Sequence, residues 1–389
     1  EGRTCPLAQF GHDRDGKKGR PIIVYGVLTD AEGRPVAVEV YAGNTGDPTT
    51  VPDQVRKLCD RFGMSHVVLV GDRGMLTQTQ INTLKEYPQL GWISALRATS
   101  IRALVENHHL QRSLFDQQNL AEITSPDFPD ERLIACYNPF LAAERSRKRQ
   151  ELITATEKKL TSIAKEVGRR RKTPLRKEEI ALKVGKVINR YNVGKHFNLT
   201  IDDGRFQWER NGAAIEQESL LDGIYVIRTS EPAKDLSAED TVRSYKNLAQ
   251  VERAFRCFKS IEIRVRPIHH RLEDRVRAHV FLCMLAYYVQ WHMRQALGSL
   301  LFDDEDLPDI RQRRDPVAPA EPSRSALHKK GTRKNSEGMP VHSFDTLLEE
   351  LGTLCRNRCR IGSDSSTETF CQETEPTPLQ AQVFKLLGL

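Results

Sequence analysis

Val67-Val-Leu-Val70 is a run of four apolar residues, three of them β-branched, and Gly71-Asp72-Arg73-Gly74 closes it. A short apolar run without alternation reads as a strand buried on both faces, so other elements must cover it from above and below. The two glycines flank an aspartate at the strand's C-terminal end, where open α/β sheets place their ligands. Thr77-Gln-Thr-Gln-Ile-Asn-Thr-Leu84 then starts a helix, which sets Asp72 at a strand-to-helix turn. An aspartate there is either a ligand or the cap of the following helix.

The neighbouring pattern supplies the rest of a sheet. Pro21–Thr29 and Val36–Tyr41 predict strands joined by Asp30-Ala-Glu-Gly33-Arg-Pro35, which has hairpin chemistry. A helix follows from about Val51 to Phe62, and Gly91–Arg97 predicts another strand beyond Asp72 and its helix. The order strand, strand, helix, strand, helix, strand supports an α/β or α+β domain. Further on, Phe197–Trp208 is a hairpin around Asp203-Gly204, and Gly223–Arg228 is a strand.

A second constellation lies in Tyr245-Lys-Asn-Leu-Ala-Gln-Val-Glu252-Arg-Ala-Phe-Arg-Cys-Phe-Lys259. The segment reads as one helix with Tyr245, Glu252 and Lys259 seven residues apart. Seven steps of 100° return to within about 20° of the start, so the three side chains share a stripe. Val251, Phe255 and Phe258 fall on an adjacent face that the helix buries. A phosphoryl-transfer site needs such a grouping: a carboxylate for a divalent metal, with hydroxyl and cationic groups to position phosphates.

The spacing of Tyr245, Glu252 and Lys259 resembles the Tyr-x2-Arg-x3-Glu-x6-Lys signature of DDE transposases of the IS-four superfamily, with Leu248 at the usual arginine position. Gly71-Asp72-Arg73-Gly74-Met75 resembles the second-aspartate motif of the same group. The resemblance implies a ribonuclease H-like α/β core and assigns Asp72 and Glu252 to catalysis and metal binding. Tyr245, Lys259, Arg73 and Arg256 become candidates for holding DNA phosphates. It also places the family's first aspartate just before Glu1, since Glu1–Gly19 resembles the stretch after the opening strand. The chain thus resembles an amino-terminally truncated transposase lacking its DNA-end recognition domain. Asp13 and Asp15 sit in a Gly- and Lys-rich loop and read as solvated acids.

Charge is unevenly spread. Glu144–Lys195 holds 17 Lys and Arg against 6 Glu and no Asp, a net +11; with +7 over the whole chain, the remainder carries −4. Leu152, Ala155, Leu160, Ile163 and Val167 form an apolar stripe between the runs Arg145–Arg149 and Arg169–Lys172. A helix with one apolar face and dense positive charge elsewhere suits DNA. The longest apolar run, Val280–Val289, is too short to span a bilayer, and the start lacks a basic-then-apolar leader pattern. Eight scattered cysteines suit a reducing cytoplasm. Cys355, Cys359 and Cys371 lack a fourth ligand at zinc spacing, and His269, His270 and His279 are a weak metal group beside carboxylates.

The expected organisation is a core over residues 1–98 and 232–300, interrupted by a basic-helical and β-rich insertion at 99–231. Arg264, Arg266 and Arg271 lie on a basic connector after the Glu252 helix, and Leu272–Met293 forms a long apolar helix. Residues 301–341, rich in Pro, Arg, Lys and Ser, read as a flexible linker, with a C-terminal segment at 342–389. The implied chemistry is cleavage of element ends and strand transfer to target DNA, with two Mg²⁺ ions roughly 4 Å apart and Mn²⁺ as a substitute. The resemblance also implies a homo-oligomer in the synaptic complex, and a bacterial cytoplasmic protein that joins the nucleoid when bound to DNA. Two other readings stay open: an inactive DNA-binding remnant, and a ribonuclease H-like nuclease without strand transfer.

Overall fold

In the computed structural model, which describes residues 4–13, 19–259, 263–360 and 369–389, the first hairpin forms as its sequence predicts. Strand β1 (Ile23–Thr29) pairs antiparallel with β2 (Pro35–Ala42), Tyr25 facing Val40. The turn closes because Asp30 Oδ1 accepts the backbone N–H groups of Glu32 and Arg34, at 3.1 and 2.9 Å. Gly33 takes φ +82° there, a conformation that favours glycine. Helix α1 (Val51–Arg56), strand β3 (Val67–Val70) and helix α2 (Gln78–Leu84) follow in the expected order. Strands β1 and β3 do not pair with each other. Asp15 lies outside the described residues.

Next come β4 (Leu90–Ala95), α3 (Ala98–Glu106), β5 (Leu120–Ile123) and β6 (Arg132–Tyr137). Two long helices, α4 (Pro139–Arg169) and α5 (Lys177–Tyr191), lead to the hairpin β7 (Phe197–Asp202) and β8 (Arg205–Arg210), then α6 (Gly212–Ser219) and β9 (Ile224–Thr229). Strands β4, β9, β6 and β5 lie side by side in that order, with antiparallel pairing at each step. The chain divides into two compact units, the first being Glu1–Leu90, Arg243–Pro316 and Ala320–Leu389, and the second Gly91–Val242 with Val317–Pro319. The second is wider than the 99–231 expected for an insertion. The reason is pairing: Ile93 of β4 faces Thr229 of β9, so β4 belongs with β9, β6 and β5.

Within the second unit, α4, α5 and the β7–β8 hairpin close on their own core of Ile153, Leu160, Ile163, Val184, Phe197 and Phe206. Asn138 caps α4, its Oδ1 accepting the Leu141 N–H at 3.1 Å.

The carboxyl-terminal half begins with α7 (Ala238–Lys246) and α8 (Leu248–Lys259). The single helix expected over 245–259 is therefore two. The break is at Asn247, whose N–H is shared between the Arg243 and Ser244 carbonyls while its own carbonyl accepts from Gln250 at 2.8 Å. Asparagine is a poor helix-interior residue, and sharing between i−3 and i−4 carbonyls marks a helix end. Glu252 and Lys259 keep their common stripe within α8, whereas Tyr245 belongs to α7.

Helix α9 (Glu273–Ala296) buries Val276, Val280, Cys283, Met284 and Tyr287 in the same cluster as Val40 of β2 and Ala254, Cys257 and Phe258 of α8. Tyr25 of β1 stacks near Phe255 and Phe258 at 5.8 and 6.0 Å, and Phe258 near Tyr287 at 5.6 Å. A Cβ on Gly33 would stand 2.5 Å from the Gln250 Cβ, so the β1–β2 turn abuts α8.

Residues 301–341, expected as a flexible linker, carry α10 (Leu307–Arg313) and α11 (Arg324–Thr332). A buried lysine explains the order that composition hides. Lys329 is 1% exposed, and its ammonium donates to the carbonyls of Gly298 and Asp303 at 2.8 and 3.2 Å and pairs with Glu305. The chain ends with α12 (Phe344–Leu351), the antiparallel pair β10 (Arg356–Arg360) and β11 (Thr369–Glu373), and α13 (Pro378–Leu387). Thr377 and Gln380 cap α13 reciprocally. Among the described residues no helix is long and apolar enough to cross a membrane.

Candidate active site

Asp72 is held by its own turn. Its Oδ1 accepts the N–H groups of Gly74 and Met75 at 2.9 and 2.7 Å, and its carbonyl accepts those of Met75 and Leu76 at 3.1 and 2.9 Å. Two flanking glycines allow this. A Cβ on Gly71 would lie 2.7 Å from Leu76 Cγ, and one on Gly74 would crowd Asp72 Oδ1 at 3.3 Å. Helix α2 starts later, with Thr77 at its cap position, so Asp72 caps the turn and not the helix. One carboxylate oxygen is thereby fixed on an exposed residue, and the other accepts no hydrogen bond from the described residues.

Tyr245 of α7 is electrostatically coupled to this turn. Burial pushes its hydroxyl above the ordinary tyrosine range; the Asp72 carboxylate pushes in the same direction and Arg73 opposes it. A half-buried hydroxyl that feels both residues stands in their electrostatic neighbourhood. It stays protonated at neutral pH and can donate. Arg73 is exposed.

Glu252 is exposed on α8, opposite the face that buries Ala254, Cys257 and Phe258. Arg256 stands four residues on, where a solvated helix would offer an ion pair. No such pair forms, and Glu252 has no hydrogen-bond or ionic partner among the described residues. Arg256 and Lys259 are both exposed on the same helix. Leu248, at the position where the resemblance expects arginine, is half-buried as the first residue of α8.

Sequence reasoning missed an arginine cluster beside this helix. Arg243 donates to the carbonyls of Arg311 and Arg314 at 3.2 and 3.3 Å, and Arg253 reaches Asp303 at 3.5 Å. Burial lowers the pKa of Arg311, and the charges of Arg314 and Arg253 lower it further, so these guanidiniums share one region. The stretch that supplies Arg311 and Arg314 reads as linker, and only its folding into α10 reveals them.

Among the described residues no group of three His, Cys, Asp or Glu side chains is arranged to hold a metal. Asp72 and Glu252 offer hard carboxylate oxygens, the donor type a Mg²⁺-like ion takes. The histidines do otherwise: His279 Nε2 lies 2.9 Å from the Val265 carbonyl, and its ring meets His270 edge-on at 5.8 Å.

The family profile described as Transposase DDE domain matches residues 3–289, a range that includes the Asp72 turn, the second unit's Gly91–Val242 and α8. The chain belongs to the DDE transposase family. Membership carries the general properties of a DNA transposase: DNA as substrate, recombination as outcome, and divalent metal ions as cofactors. Comparison with curated proteins and with solved structures finds no match.

Proposed function

We propose that this transposase cleaves phosphodiester bonds at the ends of an insertion sequence and transfers the strand to target DNA, with Asp72 and Glu252 as metal ligands. The observation that supports this reading is the placement of Tyr245, from the second motif, in the electrostatic field of Asp72 and Arg73, from the first. These residues lie 173 positions apart in the chain, and their electrostatic coupling supports reading the two motifs as parts of one site. The reading keeps the ribonuclease H-like core and a homo-oligomeric synaptic complex on bacterial nucleoid DNA.

The residues divide the work. Asp72 is fixed by two backbone N–H groups and so needs little reorganisation to bind a cation. Glu252, with no partner among the described residues, keeps both oxygens available. Mg²⁺, when bound, activates water and stabilises the leaving 3′ oxygen. Tyr245 donates a hydrogen bond to a phosphate oxygen, and Arg73, Arg256 and Lys259 supply the charge that holds the backbone.

Glu252→Gln tests the assignment. Cleavage dependent on Mg²⁺ or Mn²⁺ should fall at least a hundredfold while DNA affinity in EDTA stays within twofold. Cleavage retained by the variant would remove Glu252 from the site. Cleavage by the unaltered chain without joined products in a strand-transfer assay would select the nuclease reading. Salt-sensitive binding without cleavage would select the inactive remnant.

A further inference from the structure

The hairpin of β10 and β11 lies beyond the residues matched by the family and has no role in the site above. Its strands pair with Arg356 facing Glu373, Arg358 facing Cys371 and Arg360 facing Thr369. Alternation along a strand puts these three arginines on one face. Every residue of the pair is exposed except Cys359, which is half-buried, so neither face packs on a core. A two-stranded ribbon without a packed face is marginally stable by itself in water.

The charge on that face is unbalanced. Arg356 forms an exposed ion pair with Glu373, Nε to Oε1 2.5 Å, which neutralises one guanidinium. Arg358 and Arg360 have no acidic partner among the described residues. Residues two apart on a strand repeat at about 6.7 Å. Phosphates on one DNA strand advance about 3.4 Å along the axis, dense enough for each of two guanidiniums at that spacing to reach its own phosphate. The major groove, about 12 Å wide, admits a two-stranded ribbon.

We propose that the β10–β11 ribbon is a DNA-backbone contact, with Arg358 and Arg360 each neutralising one phosphate irrespective of sequence. The proposal rests on DNA being this family's substrate and is independent of Asp72 and Glu252. Guanidiniums two residues apart, with no acidic partner among the described residues, repel each other, and a polyanion relieves that cost.

The test is fluorescence anisotropy of the full chain with a labelled duplex of arbitrary sequence, in EDTA, across about 50 to 200 mM salt. R358Q/R360Q should make the slope of log K against log salt shallower by about 1.8, or 0.9 per phosphate lost. Near 0.1 M salt the affinity should fall on the order of tenfold per arginine, the counterion-release contribution of one contact. R358K/R360K should keep the slope, since backbone contact needs charge and not the planar fork. Glu252→Gln should leave it unchanged, so a failed catalytic assignment and a failed ribbon contact give separate results. An unchanged slope in both arginine variants overturns the proposal. So does an unchanged slope with increased light scattering of R358Q/R360Q, which would make the arginines guards of an open strand edge. Arginine-dependent binding to phosphatidylserine vesicles without a DNA effect would overturn it in favour of a lipid surface.

Discussion

Asp72 carries two functions in separable atoms. One is structural: Oδ1 accepts from the Gly74 and Met75 N–H groups and holds the turn. The other is charge, presented through the remaining oxygen. Asparagine keeps a carbonyl acceptor and loses the charge, whereas alanine loses both. Asp72→Asn should therefore fold with near-native stability and lose metal-dependent cleavage. Asp72→Ala should lose cleavage and also about 1 kcal/mol of stability, the ordinary net value of such hydrogen bonds. Urea unfolding of the two variants beside a cleavage assay separates the roles. Equal destabilisation by both would mean that the charge holds the turn. A lone aspartate between two glycines is visible in the sequence, but its two backbone bonds are not, because they depend on the chain folding back over Gly71 onto Leu76.

At the scale of elements, the arm of α4, α5, β7, β8 and α6 is tied by carboxylates whose pKa values are depressed. Glu157 is lowered by the Arg210 guanidinium and Glu166 by the Lys183 ammonium. Burial raises Glu218, but the Lys195 and His196 contacts outweigh it and leave it low. A carboxylate lowered in the folded state contributes stability above its unfolded pKa and loses it as pH falls through the folded one. The arm should hold steady above about pH 5 and weaken below the ordinary glutamate value of about 4.3. Near-UV circular dichroism should report this through Trp208 of β8, which packs edge-on against Phe197 at 5.8 Å. E157Q/E166Q/E218Q should remove most of the pH dependence in that window; an unaltered acid transition would mean that other groups govern it. These elements also show what sequence discloses. The β1–β2 and β7–β8 hairpins follow from turn residues and alternation, both local signals. The order around α11 does not, because Lys329 is buried by acceptors at Gly298 and Asp303, outside its own helix.

For the whole molecule, the charge split of +11 over Glu144–Lys195 against −4 elsewhere becomes meaningful once paired cations are set aside. Arg149 is committed to Asp222 in a nearly buried pair, Lys183 to Glu166 and Lys195 to Glu218. Among the cations left outward, several cluster at the end of the arm. Arg169, Arg171 and Lys172 are exposed, and no ion pair engages them among the described residues. Leu175 anchors that end, its carbonyl accepting the Gly204 N–H at 2.9 Å, while Asp203 Oδ1 accepts the Lys177 N–H at 2.7 Å. A cationic tip on a braced two-helix arm is suited to gripping a phosphate backbone. R169Q/R171Q/K172Q should leave thermal stability within about 0.5 kcal/mol, as exposed substitutions do. If each cation meets one phosphate, the salt slope of DNA binding should become shallower by about 2.7. Combining these changes with R358Q/R360Q tests whether tip and ribbon are separate contacts. Separate contacts give slope changes that add; a combined change no larger than either alone would mean that both report a single phosphate-binding event.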